Sequence, residues 1–135
     1  MRKTYRNDLS ELSRLSADIE AFCEQQQIDF ESASALQLCL DEVATNVISY
    51  AWKDEQLHTF EVSLKREYNV VTATVRDDGD PFDPTTQVKD PDLTADIESR
   101  EIGGLGVHFC RTLMQRFAYT RDGAHNVLTL ERALK

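Results

Sequence analysis

The order of elements predicts an α+β two-layer sandwich: a mixed, mainly antiparallel sheet with helices packed on one face. Three observations carry this expectation. Apolar residues recur at helical spacing in two stretches before residue 52 and one after residue 104. Strict alternation marks two hairpins, one central and one C-terminal. Strands and helices come in runs, without the regular βα repeat of a doubly wound sheet. At 135 residues, with 41% hydrophobic and 29% charged residues, the chain suits one compact domain spanning residues 1–135.

Residues 2–7 fit a short first strand. Asp8 and Glu11 have the spacing of a capping box, opening a helix whose stripe is Leu12, Leu15, Ile19, Phe22 and Cys23. It should fray near Gln25–Gln27. A second helix is expected from about Ser34 to Trp52, with Leu36, Leu40, Val43 and Val47 on one face. Phe60, Val62 and Leu64 then alternate in one strand and Val71, Ala73 and Val75 in the next, with the turn at Tyr68-Asn69. Residues 78–102 hold all three prolines and few apolar residues, a loop long enough to suggest function. A third helix is expected from about Leu105 through Val107, Phe109, Cys110, Leu113, Met114 and Phe117. A last hairpin, FAYTR and NVLTLER, turns at Asp122-Gly123.

A net charge of −9 argues against nucleic acid as a direct partner, since phosphate backbones are held by Lys and Arg. It does not exclude small anions, which a helix N-terminus can hold locally. No stretch approaches the roughly 18 apolar residues of a membrane span, and the N-terminus lacks the apolar segment of a secretory signal. Cys23, Cys39 and Cys110 are odd in number, widely spaced and set in apolar helical patterns. They read as reduced core cysteines of a cytoplasmic protein. His58, His108 and His125 make no metal-ligand spacing with them.

Three clusters carry candidate chemistry. Glu42 and Asn46 lie four residues apart in a segment that otherwise reads as a buried helix, so they share one face. A carboxylate that can take a proton, beside an amide oxygen that can ligate a hard cation, suggests phosphate chemistry. Asp77-x-Gly79 follows directly on a strand. The acid can accept from an exocyclic amine and the glycine can let a flat ligand approach the backbone, although an acidic, proline-rich turn would use the same residues. Gly103-Gly104-Leu105-Gly106 opens the third helix, where free N–H groups can cradle phosphate and where a glycine hinge would serve equally well. The GxGxxG and GxxxxGK[ST] patterns are both absent.

Taken in chain order, these clusters resemble the GHKL (Bergerat-fold) ATPase superfamily, over about residues 8–133. Glu42-x-x-x-Asn46 looks like its N box, Asp77-x-Gly79 like its first glycine box and Gly104-x-Gly106 like its second. DEVATNVI, VRDDGDPFDP, GGLGVHF and NVLTL are similar to the anti-sigma-factor serine kinases of bacterial partner-switching systems. The resemblance implies ATP and Mg²⁺ as cofactors and a histidine-kinase-like fold. It implies Glu42 as the group that polarises a serine or threonine hydroxyl, and Asn46 as the Mg²⁺ ligand. Asp77 and Gly79 would read adenine, and Gly103, Gly104, Leu105 and Gly106 would hold phosphate, under a lid over about residues 84–102. Arg100 is the basic residue nearest the glycines for the γ-phosphate, and Asn126 stands where many relatives carry a threonine near the adenine site. Tyr50 replaces a histidine that relatives often have, and is expected to cap the core. The implied partners are a STAS-domain anti-anti-sigma protein and a sigma factor or similar regulator, with homodimerisation possible. A nucleotide-dependent binding module with little transfer is the competing reading. A histidine-kinase catalytic domain is weaker, since the chain carries no phosphoacceptor helix pair.

Overall fold

The computed structural model describes residues 1–87 and 104–134. Strand β1 (Arg2–Arg6) leads through a 3₁₀ turn (Leu9–Glu11) into helix α1 (Leu12–Gln25) and helix α2 (Phe30–Tyr50). The hairpin β2 (Thr59–Glu67) and β3 (Val70–Asp77) follows, then a short helix α3 (Pro84–Gln87). Helix α4 (Gly104–Leu113) and the hairpin β4 (Arg116–Asp122) and β5 (His125–Ala133) complete the order. The sheet runs β1-β2-β3-β5-β4, and every pairing among these strands is antiparallel.

The period-2 pattern sorts the sheet into two faces. Phe60, Val62, Leu64, Val71, Ala73, Val75, Leu128 and Leu130 are buried on the inner face. Alternating with them along the strands, Glu61, Ser63, Thr72, Thr74, Thr129 and Glu131 are partly exposed on the other. Leu15, Ile19 and Phe22 of α1, and Leu36, Cys39, Leu40 and Val43 of α2, close the layer above. Each fully buried aliphatic side chain contributes roughly 1.5–3 kcal/mol relative to exposure. The turns fall at Tyr68, with φ +55°, and at Gly123, with φ +59°.

Several boundaries differ from expectation. Helix α2 begins four residues before Ser34, because Asp29 caps it by accepting from Ser32 N–H at 3.0 Å. It ends at Tyr50 rather than Trp52, whose indole turns away to donate to Asp78 Oδ1 at 3.0 Å. Asp8 does accept from Ser10 N–H at 2.9 Å, but Glu11 does not reach back to complete a capping box. It accepts instead from Arg6 N–H and pairs with Arg6 and Arg14, and Arg14 above all pulls its pKa down to about 2. Helix α4 stops at Leu113, and Phe117 belongs to β4, because Gln115 N–H already bonds to Glu131 O at 2.9 Å in the sheet. Tyr50 does not cap the core: it is 42% exposed. Cys23, Cys39 and Cys110 are buried and unbridged, as expected. Among the described residues no helix is long and apolar enough to cross a membrane.

Candidate nucleotide site

The inner face of β3 and β5 and the second half of α2 bring the first two sequence clusters to one cavity. Asn46, Val47, Ala51, Val75, Asp77, Asn126 and Leu128 line it from these elements, and Phe82, Pro84, Val107 and Tyr119 close it. The free space is about 40 Å³, against the ~10–15 Å³ that one water needs. A purine enters only if the turn carrying Phe82 and Pro84, or α4, moves.

Asp77 ends β3 directly opposite Asn126 of β5. Its Oδ1 accepts from Gly79 N–H and from Asn126 Nδ2, both at 2.9 Å. Its Oδ2 has no partner among the described residues, though the residue is only 6% exposed. Burial raises its pKa above the usual aspartate value, against the lowering effect of the Asn126 and Gly79 hydrogen bonds. Leaving a buried acceptor unpaired costs about 1–3 kcal/mol, so such an atom calls for an explanation.

Asn126 is fully committed. Its Nδ2 donates to Asp77 Oδ1 and to Asp80 O at 2.8 Å, and its Oδ1 accepts from Tyr119 OH at 2.6 Å and Arg121 at 3.1 Å. Phe82 N–H adds a third, longer bond to Oδ1 at 3.4 Å, so both ends of the amide are held beside Asp77. Tyr119 and Arg121 are residues that the sequence reading missed. Alternation along FAYTR, which puts 117, 119 and 121 on the inner face with Asn126, was the signal available. Arg121 also donates to Gly79 O at 2.9 Å, tying the turn to the sheet.

Gly79 is required by packing as well. A Cβ there would lie 2.4 Å from Ala51 O, the carbonyl that accepts from Asp80 N–H at 2.7 Å. The close approach is to the end of α2, which fixes Asp77 relative to that helix.

Glu42 and Asn46 do share a face. Asn46 Nδ2 donates to Glu42 Oε1 at 3.3 Å, which leaves Asn46 Oδ1 without a partner among the described residues, in a side chain only 9% exposed. Burial raises the Glu42 pKa above its usual value; the Asn46 hydrogen bond opposes this, and the Asp41 charge adds to it. Asp41 itself faces solvent. Helix α4 starts against this pair: a Cβ on Gly106 would fall 2.2 Å from Glu42 Cδ. Gly104 and Leu105 lie in the first turn of α4, where backbone N–H groups lack helical partners. Arg100 and Gly103 fall outside the described residues, as does most of the segment 84–102, which begins with α3. Among the described residues no group of three or more His, Cys, Asp or Glu could hold a metal by itself. An asparagine oxygen still suits Mg²⁺, which keeps several waters and takes few protein ligands beside phosphate.

Residues 5–132 match the family described as the histidine kinase-like ATPase domain. The serine/threonine-protein kinase BtrW of Bordetella bronchiseptica is 30% identical over 95 residues, 70% of this chain and 66% of that protein. The serine-protein kinase RsbW of Listeria monocytogenes is 28% identical over 122 residues, 87% of this chain and 76% of that protein. Among solved structures, the histidine kinase domain from the Erythrobacter litoralis EL346 blue-light activated kinase superposes with TM-score 0.58 at 18% identity, over 93% of this chain and 60% of that one. Acinetobacter baumannii histidine kinase AdeS gives 0.56 at 13% identity, over 98% and 68%. The chain spans about two thirds of BtrW and 60% of the blue-light kinase domain. It belongs to the histidine kinase-like ATPase domain family, and its curated relatives in that family are serine and serine/threonine kinases.

Proposed function

We propose that this chain is an ATP-dependent serine/threonine protein kinase and anti-sigma regulatory factor, acting in the cytoplasm within a bacterial partner-switching system. Asp77 and Asn46 line one cavity, and each keeps one side-chain oxygen, Oδ2 and Oδ1, without a partner among the described residues; this observation carries the reading. Asp77 Oδ2 would accept from the exocyclic amine of adenine, while Asn126 positions Asp77 without touching the base. Asn46 Oδ1 would ligate Mg²⁺, and the free N–H groups of α4's first turn at Gly104, Leu105 and Gly106 would hold phosphate. Gly103 and Arg100 complete the proposed set, Arg100 from the proposed lid at residues 84–102. Bound Mg²⁺ would neutralise charge on the triphosphate. Glu42 would accept the proton of the attacking serine or threonine hydroxyl as its oxygen bonds to the γ-phosphorus and the bond from that phosphorus to the β,γ-bridging oxygen breaks, with ADP as the leaving group.

The proposed phosphoacceptor is a STAS-domain anti-anti-sigma protein. The second partner is a sigma factor or similar regulator, which the kinase retains once the phosphorylated antagonist leaves. The names of the relatives support the kinase assignment. A nucleotide-gated binding module with little transfer is favoured by one observation: Gly106 packs onto Glu42 and crowds the carboxylate on that side. Incubation with γ-labelled ATP, Mg²⁺ and a purified STAS partner separates the two. Label on a serine or threonine of the partner, lost in Glu42→Ala while ATP still binds, supports the kinase. Nucleotide binding without label transfer supports the module.

A further inference from the structure

Helix α2 carries a second stripe that its packing on the sheet does not explain. The buried face is Ser32, Ala35, Leu36, Cys39, Leu40 and Val43. Phe30, Ala33, Ser34, Gln37, Leu38 and Asp41 follow the same i, i+3, i+4 spacing on an adjoining face, where they line a groove of about 790 Å³ against α1. Phe30 is 87% exposed and Leu38 45%, although Asp29 alone suffices to cap the helix. Leu15, Ile19 and Cys23 of α1 form the floor. A two-way bridge fixes the spacing of the two helices: Gln37 Nε2 donates to Ser16 O at 2.8 Å and Ser16 Oγ donates to Gln37 Oε1 at 3.0 Å.

The charges select the occupant. Glu20, Glu24 and Asp41 rim the groove, and among the described residues no Lys or Arg lines it. A second copy would bring its own three carboxylates and its own net −9 against these, an arrangement that like-charge repulsion opposes. We propose that the α1–α2 groove is a docking site for an amphipathic helix of a partner protein, with a leucine-type stripe on one face and Lys or Arg along its flanks. Helix α1 runs about 21 Å at 1.5 Å per residue, so it offers the partner some four turns of contact. The stripe of the incoming helix fills the cleft at i, i+3, i+4 and i+7, and its basic flanks meet the rim acids. The site does not depend on the nucleotide reading, because none of the groove residues lines the Asp77 cavity.

The test uses the whole chain and a fluorescein-labelled synthetic peptide of leucines in a helical stripe with flanking lysines, read by anisotropy. A permuted peptide of identical composition lacks the stripe, and a third carries Glu in place of Lys. Binding of the striped basic peptide is expected to be about tenfold or more tighter than that of either control. It should weaken by a similar factor in Leu38→Asp and in the Glu20→Lys, Glu24→Lys pair, with ATP affinity unchanged in both. Equal binding of the permuted peptide, or no loss in the Glu20→Lys, Glu24→Lys pair, overturns the proposal. A wild-type dimer that Leu38→Asp dissociates does so too, by making a second copy the occupant.

Discussion

Asp77 reaches its position through β3 and is then held on one oxygen only. Gly79 and Asn126 both donate to Oδ1, while Oδ2 stays buried and unpaired among the described residues. Its pKa is raised by burial, so the folded state keeps this proton to a higher pH than the unfolded chain does. Between the two pKa values the folded state binds more protons, so its stability falls as pH rises through that window and stays lower above it. Asp77→Asn keeps an oxygen for Gly79 and Asn126 and removes the charge. It is therefore expected to stabilise the free protein more at about pH 8 than at about pH 4, measured by urea midpoints. Gly106→Ala sets a methyl 2.2 Å from Glu42 Cδ, so the Glu42 side chain must swing away from Asn46 or α4 must shift. A loss of about 1–3 kcal/mol in chemical denaturation is expected, the usual cost of overpacking. The pair Glu42 and Asn46 was legible from spacing alone, and so was Asp77-x-Gly79. That Asn126 would face Asp77 was not, because it depends on the register of β3 with β5, which no local pattern carries. Gly79 was legible as a required glycine, but its cause, the carbonyl of Ala51, lies 28 residues away in another element.

At the scale of elements, the strands were readable because each has one buried and one open face. The helix ends were not. Phe30 is exposed and Ser32 buried, the reverse of what an apolar count expects, so the first turn of α2 broke the pattern. Phe117 continued the stripe of α4 by composition while the sheet had already claimed Gln115. Arg132 on β5 joins two helices that the sequence gives no reason to connect. It donates to Leu113 O at the C-terminus of α4 at 2.7 Å and to Ser32 Oγ in the first turn of α2 at 3.0 Å. Removing it leaves a helix C-terminus and a buried hydroxyl without this partner, where hydrogen bonds to a charged group are each worth about 1.5–3 kcal/mol. Arg132→Met should lower the thermal midpoint by several degrees in calorimetry, while Arg76→Met, on the open sheet face, should move it little.

For the whole molecule, the chain order of strands, helices and loop was enough to predict helices packed over one face of a sheet. Family membership rests on residues 5–132 together. What the sequence could not supply was the state of the cavity. Phe82 and Pro84 close it to about 40 Å³, while Asn126 binds the same turn through Asp80 O and, at 3.4 Å, accepts from Phe82 N–H. Nucleotide binding in this account thus requires a shift of that turn or of α4, and it should raise the amide-exchange protection of whichever segment recloses. If Asp77 and Asn46 present their free oxygens to one nucleotide, both side chains set its affinity. Calorimetric titration of ATP, with and without Mg²⁺, into the wild type, Asp77→Asn and Asn46→Ala tests it most directly. At least a tenfold loss of ATP affinity is expected in Asp77→Asn under both conditions, and in Asn46→Ala a loss confined to the Mg²⁺-dependent part. Wild-type affinity retained in Asp77→Asn, or a Mg²⁺ dependence unchanged in Asn46→Ala, would contradict it.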